Sequence, residues 1–345
     1  MKLSKIDLNR DSSMPYKKAK IQLRCKETLS PALNWKLQDT NTLEELHQRE
    51  LNFKLSSKDL CFSRKQITPC MRAILGDWMI EVADNFLLKR ETLHLGISIV
   101  DQYLSLCSVT KPELQLVGLC CLFIAAKVEE VFAPRAHDFL QVAGNVYSFE
   151  EMVYTERLIL VKCRWRISHA TLINWTSWLM SEWDNFAQET GLTSEFLFKS
   201  PKEYSYKLFR QAVGIVDAVA LDQERTEFPG WELAVGSLYL VLERETCSLQ
   251  IAGAIKKHFD YWLKEVFGVQ IEELSNVLSY LYGYLGLPIG YELPRACVVV
   301  PKEQLVMHYE DFLAYQSHSS KTLPFVKNRI RQASALHNCL NNSLN

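Results

Sequence analysis

The sequence has 345 residues, with 39 Lys and Arg against 40 Asp and Glu, and its formal net charge is −1. A nearly neutral chain lacks the positive charge that draws proteins to nucleic-acid phosphates or acidic lipids, so both are disfavoured as direct partners. Its 13 Gly and 11 Pro are too few for collagen-like, low-complexity or turn-rich β proteins, which favours a helical protein. The length, with 48% apolar residues, suggests two packed domains.

The apolar segments are too short to span a membrane. The longest run without a charged or polar side chain is 116–126, far below the roughly 20 residues that a membrane-spanning helix needs. The N-terminal residues also lack the apolar central region of a secretory signal. We therefore expect an intracellular protein, in which the ten cysteines are free thiols rather than disulfides.

Residues 1–41 are predicted to form a flexible arm, because they are polar and show no sustained apolar period. Their basic cluster is typical of either a solvated tail or a nuclear import signal, and both interpretations stay open. The basic cluster consists of Lys17, Lys18, Lys20, Arg24 and Lys26.

The next segment is predicted to begin with a helix. Thr42 and Glu45 have the spacing of a capping box, which predicts a helix over 42–54 within an N-terminal helix-and-linker segment, 42–66.

Five helices are predicted over 67–167, where apolar residues recur every three or four positions. The third of them is apolar on nearly all sides, which predicts a central position, and small residues such as Gly118 would let its neighbours approach closely. It is expected to run to about Glu130. The predicted start signals, in chain order, are Thr68-Pro69, Thr92, Pro112, Pro134 and a capping box of Ser148 with Glu151.

Five further helices are predicted over 168–287. The third of this set repeats the apolar, small-residue character of its counterpart, with Gly236 where close packing could occur, so an all-α protein of two tandem five-helix domains is expected. Residues 288–345 are predicted to be an irregular C-terminal arm with at most one short helix, because prolines recur among polar residues. The predicted helices of the second domain are 171–183, 201–219, 229–245, 248–267 and 269–285.

Catalytic signatures are absent from the sequence, including phosphate-binding glycine loops, zinc-binding His-Glu-x-x-His and the Gly-x-Ser-x-Gly nucleophile motif. His94, His137 and His169 have no second ligand at a spacing of three or four residues, so structural or surface roles are expected. We therefore predict no catalytic residue, no metal site and no cofactor. An interaction protein is the favoured class.

Four segments together resemble the cyclins, and they agree in order and spacing. The resemblance implies two cyclin boxes, the first over 67–167 and a more divergent second over 168–287. It further implies a non-catalytic regulatory subunit that binds and activates a cyclin-dependent serine/threonine kinase. The four segments are MRAILGDW from Met71, RETLHLGISIVDQYL from Arg90, LQLVGLCCLFIAAKVEE from Leu114 and TERLILVKCRWRIS from Thr155.

The resemblance also implies roles for two residue pairs. Lys127 and Glu156 match the lysine and glutamate with which cyclins contact the partner kinase. From the residues alone, Lys127 also suits a structural role at a helix C-terminus, and Glu156 suits a surface acid. Arg72 and Asp101 match a pair that the family buries as an internal ion pair, so the loss of either partner is expected to damage the fold.

The MRAIL segment implies a docking patch for substrates and inhibitors that carry an Arg-x-Leu motif. Leucine would fill a shallow apolar groove while arginine meets a carboxylate at its edge. The alternative is that the apolar members simply form the core, as an apolar helical stripe usually does. The residues of this docking patch are Met71, Ile74, Leu75, Trp78, Glu81, Leu114 and Gln115.

Several details are similar to the E-type cyclins, which act at entry into S phase: the segments 131–135, 221–229 and 304–318, and the absence of an Arg-x-x-Leu destruction box from residues 1–60. The resemblance implies a nuclear protein with a cytoplasmic pool. The C-terminal Thr-Pro-Pro degron usual in that branch is missing.

Three alternatives to a kinase-regulating cyclin stay open. A cyclin-box transcription factor is disfavoured by the neutral charge, and a transcription-associated cyclin is disfavoured by the complete patch motif. An all-helical enzyme is the more remote alternative.

Overall fold

The computed structural model describes residues 41–53, 55, 67–190, 201–246, 252–282 and 284. These ranges contain eleven α-helices, two short 3₁₀ helices and no strand, which confirms the all-α prediction of five plus five helices after an N-terminal one. The arms predicted over 1–41 and 288–345, with the basic cluster, lie outside the described residues except for Asn41.

The helices are numbered here in chain order. The N-terminal helix is α1 (Asn41–Asn52). The first unit contains α2 (Pro69–Asn85), α3 (Arg90–Leu106), α4 (Lys111–Glu129), α5 (Ala136–Val142) and α6 (Phe149–Lys162). The second unit contains α7 (Leu172–Glu189), α8 (Pro201–Leu221), α9 (Gly230–Thr246), α10 (Ala252–Phe267) and α11 (Ser275–Tyr282), with 3₁₀ helices at Glu224–Glu227 and Ile271–Leu274.

Two of the predicted N-caps, Thr68 and Ser148, stand at the starts of their helices as expected. The Ser148 hydroxyl accepts a hydrogen bond from the Glu151 backbone N–H at 3.1 Å, and the Glu151 carboxylate accepts from the Ser148 N–H at 2.7 Å. At α2, the Thr68 hydroxyl accepts from the Met71 N–H at 3.3 Å. These local bonds satisfy backbone donors that a helix start leaves without a helical partner.

The predicted cap at Thr92 is wrong. The helix α3 begins at Arg90, and the Thr92 hydroxyl donates a 2.9 Å hydrogen bond to the carboxylate of Glu130 at the end of α4. A tertiary contact therefore uses the side chain that local spacing assigned to a cap. The predicted cap at Thr42 is also wrong, because α1 already begins at Asn41.

Two further starts differ from prediction by one or two residues. The helix α4 begins before Pro112, because Thr110 forms a capping box with Glu113, whose carboxylate accepts from the Thr110 N–H at 2.9 Å. The Thr-x-x-Glu spacing of this box is visible in the sequence. The next helix begins at Ala136 rather than at Pro134.

The last predicted helix is divided in the structure. The described part of the helix predicted over 248–267 is Ala252–Phe267, and residues 247–251 lie outside the described ranges. The segment predicted as one helix over 269–285 contains a 3₁₀ helix, Ile271–Leu274, followed by α11. A tighter turn of this kind is common at the start of an α-helix.

Each unit is built around one apolar helix, α4 in the first and α9 in the second. A Cβ at Gly118 of α4 would lie 2.6 Å from Leu75 Cδ1 of α2, and a Cβ at Gly236 of α9 would lie 2.7 Å from Leu281 Cδ1 of α11. The two leucines therefore occupy space that any larger residue would need. This confirms the expectation that small residues allow close approach to the central helices.

A buried ionic cluster joins the two units. Asp101 on α3 accepts hydrogen bonds from Nε and Nη2 of Arg72 on α2, at 2.8 and 2.7 Å, and from Nη2 of Arg225 at 2.6 Å. Arg72 Nη1 donates to the carbonyl of Ala220, near the end of α8, at 2.8 Å. The side chains of Arg72 and Asp101 are each 2% exposed. The structure thus brings the predicted pair together and adds Arg225, which the sequence did not suggest.

Two buried histidines lie at polar contacts near this junction. His94 Nε2 on α3 is 2.9 Å from Asp217 Oδ1 on α8, and the same aspartate pairs with Arg90. His169 Nε2 is 3.1 Å from Gln102 Oε1. Burial, reinforced by Arg90, lowers the pKa of His94 to about 3, and burial lowers the pKa of His169 to about 4. Both imidazoles are therefore neutral near pH 7.

Within the described ranges, no helix is long and apolar enough to cross a membrane. In the same part of the chain, no three His, Cys, Asp or Glu side chains lie where they could together hold a metal ion. The described free thiols include those of Cys120, Cys121 and Cys163, which are buried.

Replacing Asp101 with Asn is expected to lower the free energy of unfolding by about 3–5 kcal/mol, because the buried guanidinium groups of Arg72 and Arg225 lose a carboxylate partner. Urea unfolding followed by circular dichroism measures the loss. The control is Glu150→Gln at an exposed position on α6, expected to change stability by less than about 0.5 kcal/mol. Equal stability of the two variants would contradict the structural role of the cluster.

Lowering the pH below about 6.5 is expected to destabilise the fold, because the unfolded chain takes up a proton on His94 before the folded chain does. The contribution of His94 is about 1.4 kcal/mol per pH unit. In His94→Gln, the loss of stability between pH 7 and pH 5 should shrink by about 2 kcal/mol. Urea titrations at both pH values test this, with exposed His137→Gln as the control. An unchanged pH dependence in His94→Gln would show that the histidine is protonated in the folded state.

Candidate protein-interaction site

An ion pair lies at the surface between α4 and α6. Lys127 stands in the last turn of α4, where a cation also interacts favourably with the helix C-terminus. Its Nζ atom pairs with Oε1 of Glu156 on α6 and lies 4.3 Å from the centre of the Phe123 ring. The structure therefore brings the two residues of the predicted kinase-binding pair into direct contact with each other.

Large apolar side chains are exposed on α6 and in the loop after α4, the elements that carry or follow the two residues of this pair. Val131 and Phe132, in the loop after α4, are 80% and 65% exposed. On α6, the exposed Val153 and Phe149 stand three and seven residues before Glu156, so the three share one helix face. We call this set the interface band. It consists of Lys127, Val128, Val131, Phe132, Phe149, Val153 and Glu156.

A strained turn follows α6 and presents an aromatic side chain. Arg164 and Trp165 have φ angles of 52° and 58°, in the left-handed region that is costly for residues other than glycine. The Trp165 N–H donates to the Leu160 carbonyl at 2.9 Å, and its side chain is 69% exposed. Strained backbone that presents an exposed indole favours a contact role for Trp165.

The sequence prediction assigned no role to Trp165 or to the apolar members of the interface band. The available signal was the presence of apolar residues beside Lys127 and on the Glu156 face of the following helix. That signal is weak, because the same residue types at the same spacing more often mark a buried face. Exposure decides between the two, and exposure depends on the packing of other elements.

The chemistry of the interface band is that of association. Removing exposed apolar area from water lowers the free energy of a complex with a partner. An ion pair within that area can fix the orientation of the partner. The neighbouring Cys120 thiol does not add a nucleophile, because burial, followed by the nearby Glu156, raises its pKa well above the usual range. A thiol that stays protonated is unreactive.

The docking patch is largely closed in the free chain. All of its apolar members are buried, and Leu114 is completely inaccessible to solvent. Gln115 is also buried and accepts a 3.2 Å hydrogen bond from the Tyr147 hydroxyl. Among the seven patch residues, Glu81 is the exposed one. The apolar side chains thus form part of the core here, which is the alternative that the sequence left open.

Three sequence comparisons bear on this site. The family model described as cyclin, N-terminal domain, matches residues 41–168, which include α1 and the whole first unit. G1/S-specific cyclin-E1 of Mus musculus is 32% identical over 213 residues, 61% of this chain and 49% of that protein. Cyclin-B1-3 of Oryza sativa subsp. japonica is 41% identical over 133 residues, 38% of this chain and 28% of that protein. The chain spans about half the length of the E-type relative and a smaller part, 28%, of the B-type relative.

Solved structures with a similar fold include that of a viral cyclin. The X-ray structure of a viral cyclin from herpesvirus saimiri matches with a TM-score of 0.56 and 18% sequence identity. The match covers 69% of this chain and 94% of the viral protein. At this level of identity the likeness concerns the arrangement of the helices.

Proposed function

We propose that this chain is a cyclin-type regulatory subunit that binds and activates a cyclin-dependent serine/threonine kinase, because residues 41–168 match the cyclin N-terminal domain and E-type cyclins are among its relatives. It carries out no catalysis of its own. The observation that carries the proposal is the interface band, an ion pair accompanied by exposed apolar side chains on α6 and in the loop after α4. The G1/S-specific designation of the E-type relatives supports a role at entry into S phase.

The interface band has the properties of a surface that receives a helix of its partner. An amphipathic kinase helix would cover the exposed apolar side chains on both sides of the ion pair, which removes them from water. Lys127 and Glu156 would then exchange part of their mutual contact for polar groups of the kinase, which fixes its orientation. The helix α1 would provide an outlying contact.

Activation would follow from a shift in the conformational populations of the kinase. The kinase interconverts between arrangements of its αC helix and activation loop, and a subunit that binds the active arrangement more tightly raises its population. Such discrimination needs a surface that keeps its shape. The interface band is backed by α4, in which every side chain from Leu114 to Ala126 is buried.

Recruitment of substrates and inhibitors through the docking patch is a second element of the proposal. Glu81 supports it, because an exposed carboxylate beside an apolar cluster suits the arginine of an Arg-x-Leu peptide. The leucine of such a peptide would require side chains of the patch to change rotamer, since they are buried in the free chain. We also propose a nuclear location with a cytoplasmic pool, based on the basic cluster within residues 17–26.

Replacing both Lys127 and Glu156 with Ala is expected to reduce the kinase activity captured from cycling cells at least tenfold, because the central polar contact of the interface is lost. The assay is a pull-down with the purified chain followed by histone phosphorylation by the eluate. The matched control is Lys257→Ala with Glu265→Ala, an exposed pair of charges on α10 of the second unit, which should capture as much activity as wild type.

Two results of this pull-down would contradict the proposal. If the folded double variant captures as much kinase activity as wild type, the interface band is not the kinase-binding surface. If wild type captures no kinase activity while its circular dichroism shows a folded helical protein, the assignment as a kinase activator fails altogether.

Reversing the charge of Glu81 with Lys is expected to weaken binding of an Arg-x-Leu peptide about fivefold or more, because a surface charge pair contributes up to about 1 kcal/mol and reversal adds repulsion. Fluorescence anisotropy of a labelled peptide measures the affinity. Kinase capture by the same variant should equal that of wild type, since Glu81 is on α2, outside the interface band. Unchanged peptide affinity would remove Glu81 from the recruitment site.

A further inference from the structure

The end of α4 is fastened to the start of α3 by the side chain of Glu130. Its Oε1 atom accepts a hydrogen bond from the Lys89 backbone N–H at 2.7 Å and a second from the Thr92 hydroxyl at 2.9 Å. In the opposite direction, Lys89 Nζ donates to the Glu129 carbonyl at 3.4 Å. Thr92 is completely buried. Three contacts therefore tie the two helix ends together.

These contacts satisfy backbone groups that helix ends leave without helical partners. Lys89 is the N-cap of α3 and makes no side-chain capping bond of its own. Glu130 supplies the missing acceptor from outside the helix, and its negative charge is favourable at a helix N-terminus. At the other helix, the Glu129 carbonyl, which lies in the last turn of α4, receives the Lys89 ammonium.

Glu130 also lies within the segment that carries part of the interface band. It stands three residues after Lys127 and directly before Val131, and its backbone is extended, with φ −98° and ψ 134°. Its own N–H closes the last turn of α4 on the Ala126 carbonyl at 3.0 Å. One residue thus ends the helix that carries Lys127 and sets the direction of the loop that exposes Val131 and Phe132.

We propose that Glu130 is a positioning residue for kinase binding, which holds the end of α4 and the following loop in the binding-competent arrangement through its bonds to Lys89 and Thr92. This inference rests on the proposed function. Without the anchor, the loop samples other arrangements, and the apparent dissociation constant rises in inverse proportion to the competent fraction. In this role Glu130 acts on the residues beside it and not through contact with the kinase.

Thr92 provides the decisive variant, because it is buried and contacts Glu130 from the side of α3. Thr92→Val removes the hydroxyl donor with little change of shape and alters no exposed surface. Thr176→Val is the matched control, since Thr176 is also a buried helical threonine, on α7, and its hydroxyl donates to the Leu172 carbonyl at 2.8 Å. Glu130→Gln keeps an acceptor oxygen, and Glu130→Ala removes it.

The experiment measures the dissociation constant of each full-length variant by surface plasmon resonance. The probe is a purified cyclin-dependent kinase catalytic subunit of the kind that wild type captures from cycling cells. We expect Glu130→Ala to weaken binding at least tenfold, Thr92→Val about threefold, and Glu130→Gln less than Glu130→Ala. The Thr92→Val, Glu130→Ala double variant should bind no more weakly than Glu130→Ala. Either change alone already removes the hydrogen bond between Thr92 and Glu130, so the second change has no further effect on it. Thr176→Val should bind as wild type does.

Hydrogen exchange of the free chain provides a readout that is independent of the kinase. Amides over 127–132 should exchange faster in Thr92→Val and Glu130→Ala than in Thr176→Val, because the anchored end of α4 loosens. Circular dichroism at the assay temperature verifies that each variant is folded.

Several outcomes would overturn the proposal. Weaker kinase binding by Glu130→Ala with unchanged binding by Thr92→Val would mean that Glu130 contacts the kinase directly. Wild-type affinity of both variants, or unchanged hydrogen exchange in both, would mean that the contact positions nothing that the kinase requires. A wild-type chain that binds no kinase overturns the proposed function together with this inference, whereas a failure of the variants alone overturns only the positioning role.

Discussion

The carboxylate of Asp101, shared by two buried guanidinium groups, is the contact on which the arrangement of the molecule depends. Burial alone would raise the pKa of this carboxyl group, but Arg72 and Arg225 hold it below its usual range, so the group stays ionised. Desolvated charges of this kind are costly unless every partner is present. Because the partners come from both helical units and Arg72 also reaches the Ala220 carbonyl of α8, a change in the relative position of the units would separate buried charges.

This constraint gives the first unit a fixed shape. Around the cluster, α2 and α3 pack against α4, whose glycine accommodates Leu75 and whose central residues are all buried. The interface band stands at the C-terminal end of that helix, in the loop that follows and on α6, and α4 and α6 pack against each other. A surface intended to favour one conformation of a partner gains from such a backing, since it can then discriminate by differential binding.

The interface band and the docking patch show why apolar residues in a helical protein have two different uses. The docking patch lies on α2 and α4, and the interface band lies on α4, on α6 and in the loop after α4. In the docking patch the side chains are covered by neighbouring elements, whereas Val131 and Phe132 of the interface band follow the end of α4 and are exposed. A partner can therefore reach the interface band without rearrangement, while a peptide at the docking patch would have to displace buried side chains. In the proposed function, peptide recruitment at the docking patch would therefore cost the free energy of a side-chain rearrangement that kinase binding at the interface band does not require.

The sequence by itself determined the helices, their order and many of their boundaries, because these depend on bonds between residues a few positions apart, as at Ser148 and Glu151. It also identified the glycines of the two central helices and, through the family resemblance, the pairing of Arg72 with Asp101. Only the tertiary structure decided that Arg225 completes that pair across 124 residues, that Thr92 serves Glu130 rather than a cap, and that Leu114 is core. Those outcomes depend on which elements meet in space, and periodicity along the chain does not encode which face of a helix a distant segment will cover.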